Sequence, residues 1–461
     1  MIRRCFLALL LFMLPSASLA DPQHVTILHF NDIHGHLEPV EAKGGERCGA
    51  ARIATIVHRI EDENGAKGAE TILLFGGDAL TGTLISLEFK GDAEFDFFND
   101  IGVDAMTIGN HDFDEGLPRL EALIQKAQFP VLSANIRWKK SGELLTRPWT
   151  VISGRGPEVA VVGLATIETR TTTAPQNIAE LDVTGPAKEA QGEMKKLPKN
   201  VPLRIALAHM GQKEGADVAQ KVRGLSAVIG GHDHSARPEE NCRMVKKVPV
   251  CLTPPNGCYV GRLDFEVDGN KVRFEGSRLL SAGASVPKDK AVAKLVDGYS
   301  RRLSGKYDRV IGKATKNLKV SKAEQTPLGR LICDAIRWKT GVEIGFINSS
   351  GVRAPLKRGI IKVRDVVEML PFKNTITILR MKGSEIADVG AQGSKRGAGF
   401  IQISGADDLE KDRTYSVGTV DFLADGGDGF EMLKGIEDRK SSDILLRDVV
   451  MDYIKKRRTI P

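Results

Sequence analysis

A chain of 461 residues, 41% hydrophobic and 27% charged with a formal net charge of +7, has a globular composition and excludes a disordered or fibrous protein. It is too long for one compact core, so two domains are expected. The excess of 66 Lys and Arg over 59 Asp and Glu keeps nucleic acid and membrane surfaces open as partners until the charge is placed along the chain.

The first element is a basic and then apolar leader. Arg3 and Arg4 precede an apolar run over 5–14, which Pro15 breaks before Ser18-Leu19-Ala20. This order reads as a secretory signal peptide cleaved after Ala20. The run is half the ~20 apolar residues that span a bilayer, so the expectation is a periplasmic or secreted protein with no stable membrane anchor. Five cysteines then remain: Cys48, Cys242, Cys251, Cys258 and Cys333. An odd count leaves at least one thiol unpaired. Cys242 and Cys251 flank a short basic loop and are the favoured pair, with Cys258 as competitor.

From residue 21 to about 285, short Val- and Ile-rich runs alternate with helical stretches such as 50–61, the pattern of buried strands in an α/β domain. Each run ends abruptly. Residues 25–30 lead into Asn31-Asp32-Ile33-His34, and 71–75 into Gly76-Gly77-Asp78. Residues 105–108 lead into Gly109-Asn110-His111-Asp112, 204–208 into His209, and 227–229 into Gly230-Gly231-His232-Asp233-His234. Ligands in such sheets bind beyond the carboxyl ends of strands. All nine histidines fall between His24 and His234, and the last 227 residues have none. The halves therefore do different chemistry. Residues 286–309 read as a linking helix, and 310–461 as a second α/β domain with a helix over 328–339 and strands over 375–381 and 414–422. The turn Gly426-Gly427-Asp428-Gly429 needs glycine freedom, and Lys455 to Arg458 reads as a solvated tail.

Asp32, His34, Asp78, Asn110, His209, His232 and His234 are mixed carboxylate, amide and imidazole donors without cysteine. Such a set suits divalent ions such as Zn or Mn in an open rather than a structural site. Asp-x-His and His-x-His each place two side chains on one face. So many ligands are most economically used by two ions with one carboxylate between them, and Asp78, alone on its strand, is the natural bridge. His24, His29, His36 and His58 lack this context and are expected on the surface or packed near the site.

These motifs, His29-Phe30-Asn31-Asp32-Ile33-His34-Gly35, Gly76-Gly77-Asp78, Gly109-Asn110-His111-Asp112-Phe113-Asp114 and Gly230-Gly231-His232-Asp233-His234, resemble the calcineurin-like metallophosphoesterases, and within them the secreted 5'-nucleotidase family. Asn348-Ser349-Ser350-Gly351-Val352-Arg353, Leu370-Pro371-Phe372-Lys373-Asn374 and the run from Phe422 to Phe430 resemble that family's nucleotide-binding domain. The resemblance implies a four-layer αββα domain over 21–285, the linking helix, and a C-terminal domain over 310–461. It implies one metal held by Asp32, His34, Asp78 and His234, and another by Asp78, Asn110, His209 and His232. His111 with Asp114 would be the catalytic dyad. Phe372 and Phe422 would sandwich a base, Arg353 would meet phosphate or ribose, and Asn348, Asn374 and Asp428 would supply hydrogen bonds. Glu324 stands where many members carry Arg and is expected to repel phosphate. Cys333 is expected as a buried free thiol.

The expected activity is release of phosphate from nucleotides by metal-activated water, acting on 5'-nucleotides and also on UDP-sugars or 2',3'-cyclic nucleotides. The rival is a periplasmic hydrolase of a sulfur-oxidation system acting on a carrier-bound sulfonate. Charge fits a small anionic substrate better than nucleic acid. Residues 21–285 hold 30 basic and 36 acidic side chains, a net of −6, whereas 286–461 hold 34 and 23, a net of +11.

Overall fold

The structure, a computed structural model, describes residues 22–42, 45–234, 236–238, 241–303 and 305–461. The expected signal peptide and its cleavage point at Ala20 lie outside the described residues. Strand Gln23–Phe30 pairs in parallel with Glu70–Phe75 and antiparallel with Tyr259–Asp268. The full sheet runs Lys271–Ser281, Tyr259–Asp268, Gln23–Phe30, Glu70–Phe75, Ala105–Thr107, Val131–Leu132. A second six-stranded sheet runs Cys242–Val245, Val248–Cys251, Ala227–Ile229, Leu203–His209, Val159–Ala165, Trp149–Ile152.

Side-chain alternation stacks these sheets. Val25 and Ile27 join Ile72, Leu74, Val159, Val161, Ile205 and Leu207 in one buried cluster between them. The intervening Leu28 and Phe30 point outward into the helices Ala50–Gly65 and Asp92–Asp100. Ala160 and Val162 of the second sheet meet the helices Pro186–Met194 and Gln212–Lys221. A strand with period two, apolar on both faces, requires cover on both sides. The result is the helix–sheet–sheet–helix stack, with each fully buried Val, Leu or Ile contributing ~1.5–3 kcal/mol. Disulfides join Cys242 to Cys251 and Cys48 to Cys258, and Cys333 is a buried free thiol.

The linking helix Lys290–Leu303 packs on Ala50–Gly65 and Asp92–Asp100. Tyr299 Oη donates to Asp96 and Ser300 Oγ to Glu38, each at 2.5 Å. The second domain has a five-stranded sheet ordered Ile401–Ser404, Ile344–Asn348, Thr414–Val420, Thr375–Lys382, Arg439–Leu445. Its helix Pro327–Thr340 starts where Thr326 Oγ1 caps the Gly329 N–H and ends at left-handed Gly341.

Two expectations need correction here. Phe422 is not in a strand. The strand ends at Val420 and the helical turn Asp421–Ala424 follows, its Asp421 carboxylate accepting from the Phe422 N–H at 2.8 Å and from Asn374 Nδ2 at 3.0 Å. Lys455 to Arg458 is not a tail. Lys455, Lys456 and Arg457 form the last turn of helix Leu446–Arg457, anchored by buried Val449, Val450 and Ile454, and Thr459–Ile460 then pairs with Val310–Ala314.

Candidate active site

The strand ends gather their polar residues at one edge of the two sheets. Asp32, His34, Asp78, His232 and His234 all have φ between +44° and +75°. Such backbone in non-glycine residues costs on the order of 1–3 kcal/mol each and persists only where the surroundings impose it. Here the surroundings are a tight polar scaffold. The Asp112 carboxylate accepts from the N–H groups of Gly109 at 2.7 Å, Asp78 at 3.1 Å and Ala79 at 2.8 Å. Burial and the Asp78 charge push its carboxyl up to about 7. Asn31 Nδ2 donates to Asp32 Oδ2 at 2.5 Å, and Asn31 Oδ1 accepts from Thr253 Oγ1 at 2.5 Å. Glycine at 109 is obligatory, because a Cβ there would collide with the Asp78 carboxylate.

Two groups of donor atoms converge. One is Asp32, His34 and His234; the other is Asp78, His209 and His232, each with ligand atoms within 4.8 Å of one another. Asp78 Oδ2 stands between the groups, 3.2 Å from His209 Nε2 and 3.8 Å from His34 Nε2. Asn110 Oδ1 is 2.9 Å from His232 Nδ1 and 3.3 Å from His209 Nε2. The remote ring nitrogens are already used: His34 Nδ1 on the Leu80 carbonyl at 3.0 Å, His209 Nδ1 on the Gly76 carbonyl at 2.8 Å, and His232 Nε2 on Glu168 at 3.0 Å. With those N–H groups directed outward, lone pairs of imidazole, carboxylate and amide face each other across about 3 Å. Divalent cations fit that donor chemistry. Burial disfavours a charged ring at His209, yet Asp78 and Asp32 override it and raise its value to about 10. The site thus favours positive charge at its centre.

His111 stands at the rim. Its Nδ1 is 2.8 Å from Asp114 Oδ2, and its N–H donates to Asp78 Oδ1 at 2.8 Å. Burial works against its charged form, but the Asp114 and Asp78 carboxylates outweigh burial and raise its value above the ordinary imidazole range. The second domain reaches in from the opposite side. Arg353 Nη2 comes within 3.4 Å of His34 Nε2, and the Phe372 ring stacks on His111 at 5.7 Å.

A cavity of about 520 Å³ runs from these residues into the second domain. Asn110, His111, Asp114, His232 and His234 line it on one side, and Asn348, Arg353, Phe372, Asn374, Phe422 and Asp428 on the other. Asp428 Oδ2 accepts from Asn348 Nδ2 and Ser350 Oγ, both at 2.6 Å. Glycine at 427 lets Phe422 reach the wall, since a Cβ there would fall 2.5 Å from its ring. A second cavity of about 540 Å³ opens on the other side of Arg353, lined by His34, His36, His234, Ser349, Lys322 and Glu368 among others. Glu324, expected near phosphate, is exposed and lines neither cavity; Lys322 lines both. The sequence reading also passed over Asp112, Glu168 and Asn31. Asp112 carries a signal only as part of the Asn110–Asp114 run, and Glu168 carries none.

Residues 25–236 match the family described as calcineurin-like phosphoesterase, and residues 310–407 the 5'-nucleotidase C-terminal domain. The snake venom 5'-nucleotidase of Naja atra is 30% identical over 94% of this chain and 96% of its own length. Protein UshA of Escherichia coli is 27% identical over 94% of this chain and 91% of its own. Among solved structures, the 5'-nucleotidase precursor from Thermus thermophilus superposes with a TM-score of 0.86 at 27% identity, covering 95% of this chain and 97% of that one. The sulfate thiohydrolase SoxB, also of Thermus thermophilus, has a TM-score of 0.79 at 17% identity, covering 95% and 94%, which shows the fold alone.

Proposed function

We propose a substrate and residue roles for this chain, which belongs to the 5'-nucleotidase family of calcineurin-like phosphoesterases and is a metal-dependent phosphoester hydrolase. The substrate is a nucleoside 5'-monophosphate, hydrolysed by an exported enzyme to nucleoside and phosphate. The carrying observation is one cavity that joins two convergent donor groups to a pocket with Phe372 and Phe422 on its walls.

In this reading residues 21–285 supply the metal chemistry, 286–309 the link and 310–461 the substrate site. Asp32, His34, Asp78 and His234 would hold one divalent ion, and Asp78, Asn110, His209 and His232 the other. Two such ions activate water and neutralise charge on the phosphoryl oxygens. The protein's own groups do the rest. Arg353 steadies the phosphate and Lys322 adds a second cation to its approach. Phe372 and Phe422 stack on the base, while Asn348, Asn374 and Asp428 hold the nucleoside by hydrogen bonds. His111, fixed through Nδ1 by Asp114, offers Nε2 to the phosphoryl group and gives a proton to the departing 5'-oxygen.

The second cavity supports a wider range. It adjoins His34 and His234 and has room for a group esterified to the attacked phosphate, as in a UDP-sugar; 2',3'-cyclic nucleotides are further substrates of the same site. Export is supported by two disulfides and by the leader, and no helix among the described residues is long and apolar enough to cross a membrane. A carrier-bound sulfonate is disfavoured because the aromatic and amide lining suits a planar base. The test is a panel of 5'-nucleotides, UDP-sugars and cyclic nucleotides with Mn or Zn varied. Phosphate release from 5'-monophosphates is expected, and its absence from every nucleotide would overturn the reading.

A further inference from the structure

Glu168 is neither one of the metal donors nor a group assigned to the substrate. It follows strand Val159–Ala165, and its Oε2 is 3.0 Å from His232 Nε2. The other nitrogen of that ring, Nδ1, is the one that faces Asn110 Oδ1 at 2.9 Å and the Asp78–His209 group. A carboxylate on one imidazole nitrogen selects the tautomer and ring angle at the other, and raises its basicity. His232 has particular need of this. Its main chain is pinned on left-handed backbone with φ +75°, the N–H donating to Asp32 Oδ2 at 3.0 Å, but no backbone carbonyl among the described residues reaches either ring nitrogen, so the ring angle is left to side-chain contacts. His34 and His209 use backbone carbonyls for the same purpose, whereas His232 uses a side chain.

The backbone of Glu168 is held independently of that side chain. Its N–H donates to Thr166 Oγ1 at 3.1 Å, its carbonyl accepts from the N–H groups of Thr171 at 2.8 Å and Thr172 at 2.9 Å, and Thr166 Oγ1 is itself tied to Glu214 at 2.6 Å. The same segment grips the second group again where Thr173 Oγ1 donates to the Asn110 carbonyl at 3.0 Å. The Glu168 side chain is 64% exposed, so it packs little and its removal leaves the core intact. A contact that contributes so little to packing, yet meets a buried donor group, has its effect through the ring it orients.

We propose that Glu168 is a positioning residue for the second divalent ion: it accepts the His232 Nε2–H and so directs the Nδ1 lone pair at the position shared by Asp78, Asn110 and His209. This inference rests on the two-metal reading above. The test titrates metal-free wild type, Glu168→Ala and Glu168→Gln with Mn²⁺ by calorimetry, with the spin-coupled Mn pair followed by electron paramagnetic resonance. Wild type is expected to take two ions. In Glu168→Ala one site should weaken about 10–100-fold while the other is unchanged, and the coupled signal should need excess Mn²⁺. Glu168→Gln keeps an acceptor oxygen and should fall between. Turnover of Glu168→Ala should recover with excess Mn²⁺ at unchanged KM, and its metal-free thermal unfolding should match wild type. Identical two-site titrations of wild type and Glu168→Ala would overturn the inference and leave the two-metal reading standing. A wild type that binds no pair of ions would overturn that reading and the inference with it.

Discussion

At the scale of single residues, His111 and Glu94 make separate predictions. His111 lines the cavity, and Asp114 fixes its Nδ1. We predict that His111→Ala lowers kcat on the order of 10²–10⁴-fold with KM little changed, and that Asp114→Asn lowers it less; steady-state kinetics with a fixed metal would show this, and an unaltered kcat would contradict it. Glu94 is fully buried beside Gly35, and burial pushes its carboxyl from 4.5 to about 7. A carboxyl raised in the fold contributes stability that is complete below its unfolded value and lost as pH rises through about 7. Glu94→Gln does not titrate. Its unfolding free energy in urea should therefore gain on wild type by on the order of 3 kcal/mol between pH 4.5 and a pH above 7, whereas parallel pH profiles would speak against it. The candidate metal donors were legible as residues because each follows an apolar run and interrupts it with a polar cluster. Asp112 and Glu168 were not, because their importance lies in contacts with Asp78, Ala79 and His232 across loops that sequence does not align. Glu324 misled for a related reason: two positions along one loop separate the side chain that lines the cavities, Lys322, from the one that does not.

At the scale of elements, the strand runs were legible because strands covered on both faces are apolar throughout. The end of the strand Thr414–Val420 was not, since the apolar run continues into the helical turn Asp421–Ala424, whose Asp421 carboxylate is held by Asn374 and Thr375 from elsewhere in the chain. That turn, with Gly427 behind it, carries Phe422 to the cavity wall. Stacking on one base contributes ~1–3 kcal/mol. We predict that Phe422→Ala raises the KM for a purine 5'-monophosphate about tenfold or more while leaving hydrolysis of a small aryl phosphate near wild type; equal loss on both would contradict a base-stacking role. The two disulfides also differ as elements. Cys48–Cys258 closes a separation of 210 residues and Cys242–Cys251 one of 9. In the chain-entropy description the first stabilises by about 5 kcal/mol and the second by about 3 kcal/mol. The first also braces the site, because the Asn256 N–H nearby donates to the Asp32 carbonyl at 2.8 Å. Replacing Cys48 and Cys258 together by Ser should lower the urea midpoint more than replacing Cys242 and Cys251, and the reverse order would be contrary evidence.

At the scale of the whole molecule, the +7 resolves into the +2 of the leader, an acidic half of −6 that carries the two convergent donor groups, and a basic half of +11 that supplies the opposite wall of the cavity. The structure joins them face to face. Arg353 and Phe372 of the second domain meet His34 and His111 of the first, and Lys373 pairs with Glu115 at 2.7 Å. The linking helix is fastened to the first domain through Tyr299 and Ser300, so any separation of the domains would occur beyond it. Sequence, fold and site lead to one proposal: two divalent ions, held by the strand-end residues, make this chain release phosphate from a nucleotide bound by its second domain. Its sharpest check is inorganic phosphate released from a nucleoside 5'-monophosphate by purified protein, before and after chelation and again after Mn²⁺ is restored. Release should be abolished by chelation and recovered with about two Mn²⁺ per chain. Release that survives complete metal removal, or none with both ions bound, would contradict it.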